Sequence, residues 1–146
     1  MDYSLGAVKV LIAQLQAAQE VPRTGGVTMS LGSLLFQRAW LQGIIVESPD
    51  QESLWLDDGS GVLRLVFVKD LKMPSWKPGM YVLVIGAYLF ASTGVPFLKV
   101  HKIVDLSFYS NREALWHLEV IEAHQLFYRH SINGHFYDAT IDDGLS

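Results

Sequence analysis

The sequence predicts an all-β domain with a C-terminal helix. Runs rich in β-branched and aromatic residues recur through the middle of the chain, and clusters of Gly, Pro, Asp and Ser separate them. After residue 110 the apolar residues change to helical spacing. Five strands at these intervals suit a small barrel or a sandwich.

Composition indicates one soluble domain with surplus apolar surface. The chain has 146 residues, of which 50% are hydrophobic and 18% are charged, which is ample for a sizeable core. The mean hydropathy of +0.23 is high for a soluble protein. The longest apolar run, residues 80–91, is nevertheless far shorter than the roughly 20 residues that a membrane-spanning helix needs. The N-terminus also lacks the pattern of a secretory signal.

Several kinds of chemistry are excluded or unsupported by the sequence. Without cysteine there is no disulfide, thiolate zinc site, iron–sulfur cluster or thiol nucleophile. Phosphate-binding loops, serine nucleophile elbows and zinc-protease motifs are absent. His130 and His135 have no supporting acidic ligand nearby, and adjacent Asp57 and Asp58 are typical of a turn. We therefore expect no enzymatic activity, no cofactor and no metal.

The first 37 residues are expected to form an arm or loop. Residues 8–15 fit a short helix or an extended segment equally well, and residues 22–26 are typical of a turn. The predicted domain then runs from residue 38 to 127.

Five strands follow in this domain. Gly43 lies inside the first of them and indicates a bend or bulge, as barrel closure requires. The sequence Asp-Asp-Gly-Ser-Gly at residues 57–61 is a strong hairpin turn between the second and third. The predicted strands are residues 39–47, 54–56, 62–68, 80–90 and 96–106.

A helix is predicted over about residues 111–127. Ser110 or Asn111 can cap it, and Glu113 lies in the first turn, where the helix dipole favours an acid. Its apolar residues form two faces, one with Ala114, Leu115, Leu118 and Ile121 and the other with Trp116, Val120, Ala123 and Phe127. A surface helix needs only one such face, so this helix should lie between its own barrel and another body. The alternative is that the chain after Phe127 folds back over the second face.

The two faces predict two roles. Trp116 is the expected docking anchor, because tryptophan is enriched among interface hot spots. Leu118 is then expected to face the barrel, although the sequence alone leaves the reverse assignment open. The tail, residues 128–146, contains an Asn-Gly turn and an acidic end, and we expect it to be disordered or ordered by a partner.

Single-stranded nucleic acid is an alternative ligand for such a domain. Small five-stranded barrels of the OB type bind single strands with stacking aromatics and a basic groove. The candidate residues for this function are Trp55, Arg64, Lys69, Lys72 and Lys77. The formal net charge of −4, and the aspartates near these lysines, argue against strong phosphate binding.

An ordered set of segments resembles the RecQ-mediated genome instability protein 2 family. The segments are WLQG at 40–43, LDDGSG at 56–61, PGMYVLVIG at 78–86, KIVDLS at 102–107 and EALWHLEV at 113–120. The resemblance extends from residue 40 to about residue 127. Residues 1–38 match only loosely, and the tail extends beyond the family pattern.

This resemblance implies a five-stranded OB-fold barrel and a non-catalytic role. It implies a small nuclear subunit that pairs with RecQ-mediated genome instability protein 1 through OB-fold and C-terminal-helix contacts. The pair joins a RecQ helicase and topoisomerase III in a complex that dissolves double Holliday junctions. That complex acts in DNA repair, homologous recombination and replication, and it preserves genome stability. DNA contact by this subunit is expected to be indirect, and no membrane is involved.

The expected partner-binding residues lie on the helix and the last strand. They are Leu115, Trp116, Leu118, Val120, Ile121, Phe127 and Lys102. Lys102 is included because it shares a predicted strand face with apolar Val100 and Val104, so it must extend to the barrel rim or meet an acid. Scaffold subunit and direct single-strand binder remain the two hypotheses, and fold alone does not separate them.

Overall fold

Five strands close into a barrel. A computed structural model describes residues 5–23, 25–48, 53–68, 76–108 and 111–125. Its elements are β1 (Val8–Lys9), α1 (Ile12–Ala17), β2 (Gln19–Val21), β3 (Thr28–Leu31), β4 (Leu34–Phe36), β5 (Arg38–Glu47), β6 (Leu54–Asp57), β7 (Val62–Phe67), β8 (Tyr81–Phe90), β9 (Pro96–Asp105) and α2 (Arg112–Ala123). The barrel order is β5-β6-β7-β9-β8, and β8 pairs back with β5. The predicted barrel class and C-terminal helix are confirmed.

Alternation along the strands builds the core. In β6, Leu54 and Leu56 are buried, whereas the alternate residues Trp55 and Asp57 are partly exposed. The same period of two buries Leu63 and Leu65 in the antiparallel neighbour β7. The inward faces of all five strands therefore share one apolar interior.

Two glycines allow the strands to approach closely. A Cβ atom at Gly43 would overlap the backbone carbonyl of Asp57, and one at Gly86 would overlap that of Lys99. The register of β8 and β9 shifts between the pairs Ile85–Lys102 and Gly86–Val100, so the extra residue of the bulge is His101 of β9. Gly43 is predicted to mark a bend or bulge, but the structure shows a close approach of β5 to β6 at this residue, and the bulge lies between β8 and β9.

The N-terminal segment differs from the expected arm or loop. β1 pairs in parallel with β5, and β2, β3 and β4 form a second, antiparallel sheet. Apolar side chains of this segment are buried in the barrel's own core: Val8, Val10, Ile12, Leu15, Met29 and Phe36. These elements are two to six residues long. Such short elements depend on tertiary packing, so local sequence patterns do not indicate them.

Helix α2 follows the barrel and packs on β1 and β5. Phe127 and the tail from residue 128 onwards, with His130 and His135, lie outside the described residues. In the part of the chain that the structure describes, no helix is both long enough and apolar enough to cross a membrane.

Candidate partner interface on helix α2

One face of α2 is buried in the chain and the other is open. Trp116 is 1% exposed and Val120 is 2% exposed. On the opposite face, the exposed fractions are 45% for Leu115, 62% for Leu118 and 50% for Ile121. The helix therefore carries an apolar stripe that the described residues leave uncovered.

This arrangement corrects the assignment of the two faces. Trp116 was the expected docking anchor, but its side chain is buried within the chain, and so is that of Val120. Leu118 was expected to face the barrel, but it is the most exposed apolar side chain of α2. In this orientation two side chains on the flanks of the helix make polar contacts with distant parts of the chain, at sequence separations of 59 and 110 residues, which periodicity cannot reveal.

The first of these contacts holds Glu119 between two cations. The Lys9 Nζ atom lies 3.4 Å from Glu119 Oε1, and an Arg112 guanidinium nitrogen lies 3.7 Å from Glu119 Oε2. The Lys9 ammonium also sits 5.4 Å from the centre of the Trp40 ring, within cation–π range. Because the paired side chains of Lys9 and Glu119 are 37% and 36% exposed, the ion pair contributes little to stability.

The second contact joins the other flank of α2 to the β6–β7 turn. His117 Nε2 donates to the backbone carbonyl of Asp58 across 3.1 Å. The buried Asp58 carboxylate accepts from the amide of Ile12 at 2.8 Å and from the hydroxyl of Ser60 at 2.7 Å. The predicted hairpin turn is present, and it also caps α1, whose own N-cap residue, Leu11, has no capping oxygen.

A third polar group lies on the barrel near the start of α2. Burial and then the nearby Glu113 carboxylate raise the pKa of Tyr81 to about 12. Its neutral hydroxyl donates to Oε1 of the buried Gln42 at 3.2 Å. The phenol therefore keeps its proton throughout the physiological range and provides a hydrogen-bond partner for the buried Gln42 side chain.

The open face of α2 forms a shallow groove. Its lining consists of Leu115, Leu118, Glu119, Ile121, Glu122 and Gln125. By helical spacing Glu122 lies between Leu115 and Leu118 on this face, whereas Glu119 lies at its edge, where it meets Lys9 and Arg112. This shape and composition fit the side of another helix.

Lys102 is exposed on β9, opposite Ile85 of β8. The bulge changes the phase of alternation, so that Val100 points into the core while Lys102 points outwards. The expectation that Lys102 shares an apolar face with Val100 is therefore wrong. Beside it, partial burial and then the charge of Lys99 lower the pKa of His101.

The nucleic-acid candidates are only partly brought together. Trp55 and Arg64 are cross-strand partners on β6 and β7, both partly exposed on the outside of the barrel. Lys77 is exposed in the connection before β8. Lys69 and Lys72 lie outside the described residues. Among the described residues, no cluster of His, Asp or Glu has the composition of a metal site.

Comparison with known sequences gives a consistent family. The family model described as RecQ-mediated genome instability protein 2 matches residues 6–124. The chain is 35% identical over 130 residues to RecQ-mediated genome instability protein 2 of Gallus gallus, covering 82% of this chain and 92% of that protein. It is 32% identical over 136 residues to the Bos taurus protein of the same name, covering 83% and 80%.

Comparison with solved structures confirms the fold. A chain of the replication protein A heterotrimer bound to ssDNA superposes with a TM-score of 0.64 at 16% identity, covering 82% of this chain and 96% of that chain. A chain of the S. pombe Stn1-Ten1 complex superposes with a TM-score of 0.71 at 19% identity, covering 89% and 99%. Both are OB-fold proteins.

Proposed function

This chain belongs to the RecQ-mediated genome instability protein 2 family, and we propose that it is the small, non-catalytic subunit that pairs with RecQ-mediated genome instability protein 1. In this proposal the pair joins a RecQ helicase and topoisomerase III in the nucleus. The complex dissolves double Holliday junctions in DNA repair, homologous recombination and replication. The contribution of this chain is affinity and geometry rather than bond chemistry.

The observation that carries the proposal is the uncovered stripe of Leu115, Leu118 and Ile121 on α2. Each of these side chains is about half exposed or more, although full burial of one is worth roughly 1.5–3 kcal/mol. Adjacent exposed apolar residues of this kind mark interaction sites. The two structural relatives belong to assemblies, a heterotrimer and the Stn1-Ten1 complex, which supports a subunit role.

Co-expression with RecQ-mediated genome instability protein 1 of the same organism tests the pairing. We expect a one-to-one complex that survives size-exclusion chromatography, with its mass measured by light scattering. The large subunit expressed alone is the control. Two separate elution peaks for the co-expressed chains would contradict the proposal.

We propose Lys102 as a contact for the helicase or topoisomerase. It is exposed on β9, whereas α2 packs on β1 and β5, so it is suited to bind a further member of the complex. Lys102→Ala should leave the one-to-one pair intact and reduce the amount of helicase or topoisomerase that it captures. Full capture by the variant would exclude this role.

Direct single-strand binding is the second candidate function. The adjacent Trp55 and Arg64 side chains favour it, because stacking rings and cations are the usual means of holding single strands. A titration with a single-stranded oligonucleotide at two salt concentrations separates the two functions. Micromolar or tighter binding that weakens steeply with salt would favour this candidate.

A further inference from the structure

The groove on α2 is acidic as well as apolar. Glu119 and Glu122 both line it, and at three residues apart they lie on the same side of the helix. Over its length, α2 contains three glutamates and one arginine. The whole chain also has a formal net charge of −4. The open face of α2 therefore combines apolar surface with negative charge.

The two acids of the groove are not equivalent. Glu119 already faces Lys9 and Arg112, which offset much of its charge. Glu122 is exposed, and within the described part of the chain it forms no salt bridge. Glu122 is thus the carboxylate that a partner's cation would meet.

The negative charge on the open face of α2 disfavours the binding of a second copy of this chain in the groove. A twofold dimer uses the same patch on both subunits, so it would bring two acidic α2 faces together. Like charges across an interface oppose association and suppress wrong partners. A helix that carries a lysine or arginine beside its apolar stripe has the opposite effect, because its cation would pair with the exposed carboxylate of Glu122.

We infer that the α2 groove receives an amphipathic helix of another protein whose apolar stripe is flanked by lysine or arginine, and that Glu122 selects this helix over a second copy of the chain. The inference rests on the proposed function. It adds to that function the charge pattern of the partner and the residue that discriminates.

Glu122→Lys in the full chain tests the inference, titrated against the large subunit at low and high salt. We expect the Kd to rise on the order of tenfold at low salt, with a smaller difference at high salt where the charges are screened. Glu20→Lys is the matched control. Glu20 is exposed on β2, in the separate three-stranded sheet, and this variant undergoes the same change of charge. Equal effects of the two variants, or no effect of Glu122→Lys, would overturn the inference.

Two further variants separate this inference from the proposed function. Glu122→Gln should increase the dimer fraction of the isolated chain in sedimentation, and a dimer fraction equal to that of the wild type would contradict the selection against a second copy. Leu118→Ala removes apolar contact without changing charge. If Leu118→Ala keeps the wild-type Kd for the large subunit, the docking face itself is wrong, whatever the result at Glu122.

Discussion

Replacing Trp116 by alanine is expected to lower the free energy of unfolding by about 3–5 kcal/mol. The indole is 1% exposed and is among the largest fully buried side chains of the described residues. Its removal would leave a cavity between α2 and the barrel, at the point where the helix packs on β1 and β5. A cavity adds to the loss of apolar burial, because the surroundings relax only partly.

Urea denaturation of the isolated chain measures this effect, with two matched variants. Trp116→Phe should lose much less stability, since the indole Nε1 has no hydrogen-bond partner among the described residues and the ring still fills most of the space. Leu118→Ala should lower the free energy of unfolding much less than Trp116→Ala does, because Leu118 is 62% exposed. A Trp116→Ala chain as stable as the wild type would show that this side chain does not hold α2 to the barrel.

The barrel can be predicted from the sequence because the patterns that indicate its strands and turns are local. Alternation in 54–57 and 62–67 and the turn at residues 57–61 fall within one short stretch of chain. The prediction that Gly43 has a particular structural role is also local, because it rests on a glycine inside a strand pattern. The actual neighbour of Gly43, the Asp57 carbonyl, belongs to another strand and could not be identified.

The N-terminal sheet and the second role of Asp58 were not accessible. Asp58 binds the amide of Ile12, which lies 46 residues away, and no local pattern indicates that contact. The N-terminal elements around Ile12 are short and are stabilised by burial in the barrel core. An aspartate in a turn sequence is fully explained by the turn, so the sequence carries no additional signal for the cap.

Two apolar faces on α2 were evident from spacing, but their orientation was not. The face with Trp116 and Val120 and the opposite face are both apolar, so a rotation of the helix about its axis would exchange them. The opposite face consists of Leu115, Leu118 and Ile121. In the folded chain that rotation buries Trp116 and Val120 and brings Glu119 and His117 to Lys9 and Asp58, which lie far away in the sequence. The sequence pattern therefore predicts which residues share each face of α2, but not which of the two faces is exposed.

The central claim is that the exposed face of α2 binds the partner. At this face, Leu118 is 62% exposed in the isolated chain and would become buried on pairing. Truncation of such a residue near the centre of an interface costs on the order of 2 kcal/mol. That cost corresponds to about a 30-fold rise in Kd.

Titration calorimetry of the full chain against RecQ-mediated genome instability protein 1 tests this claim most directly. We predict a one-to-one complex for the wild type and a Kd about 30-fold higher for Leu118→Ala. A complex that forms with the same Kd in the wild type and in Leu118→Ala would place the interface elsewhere on the molecule.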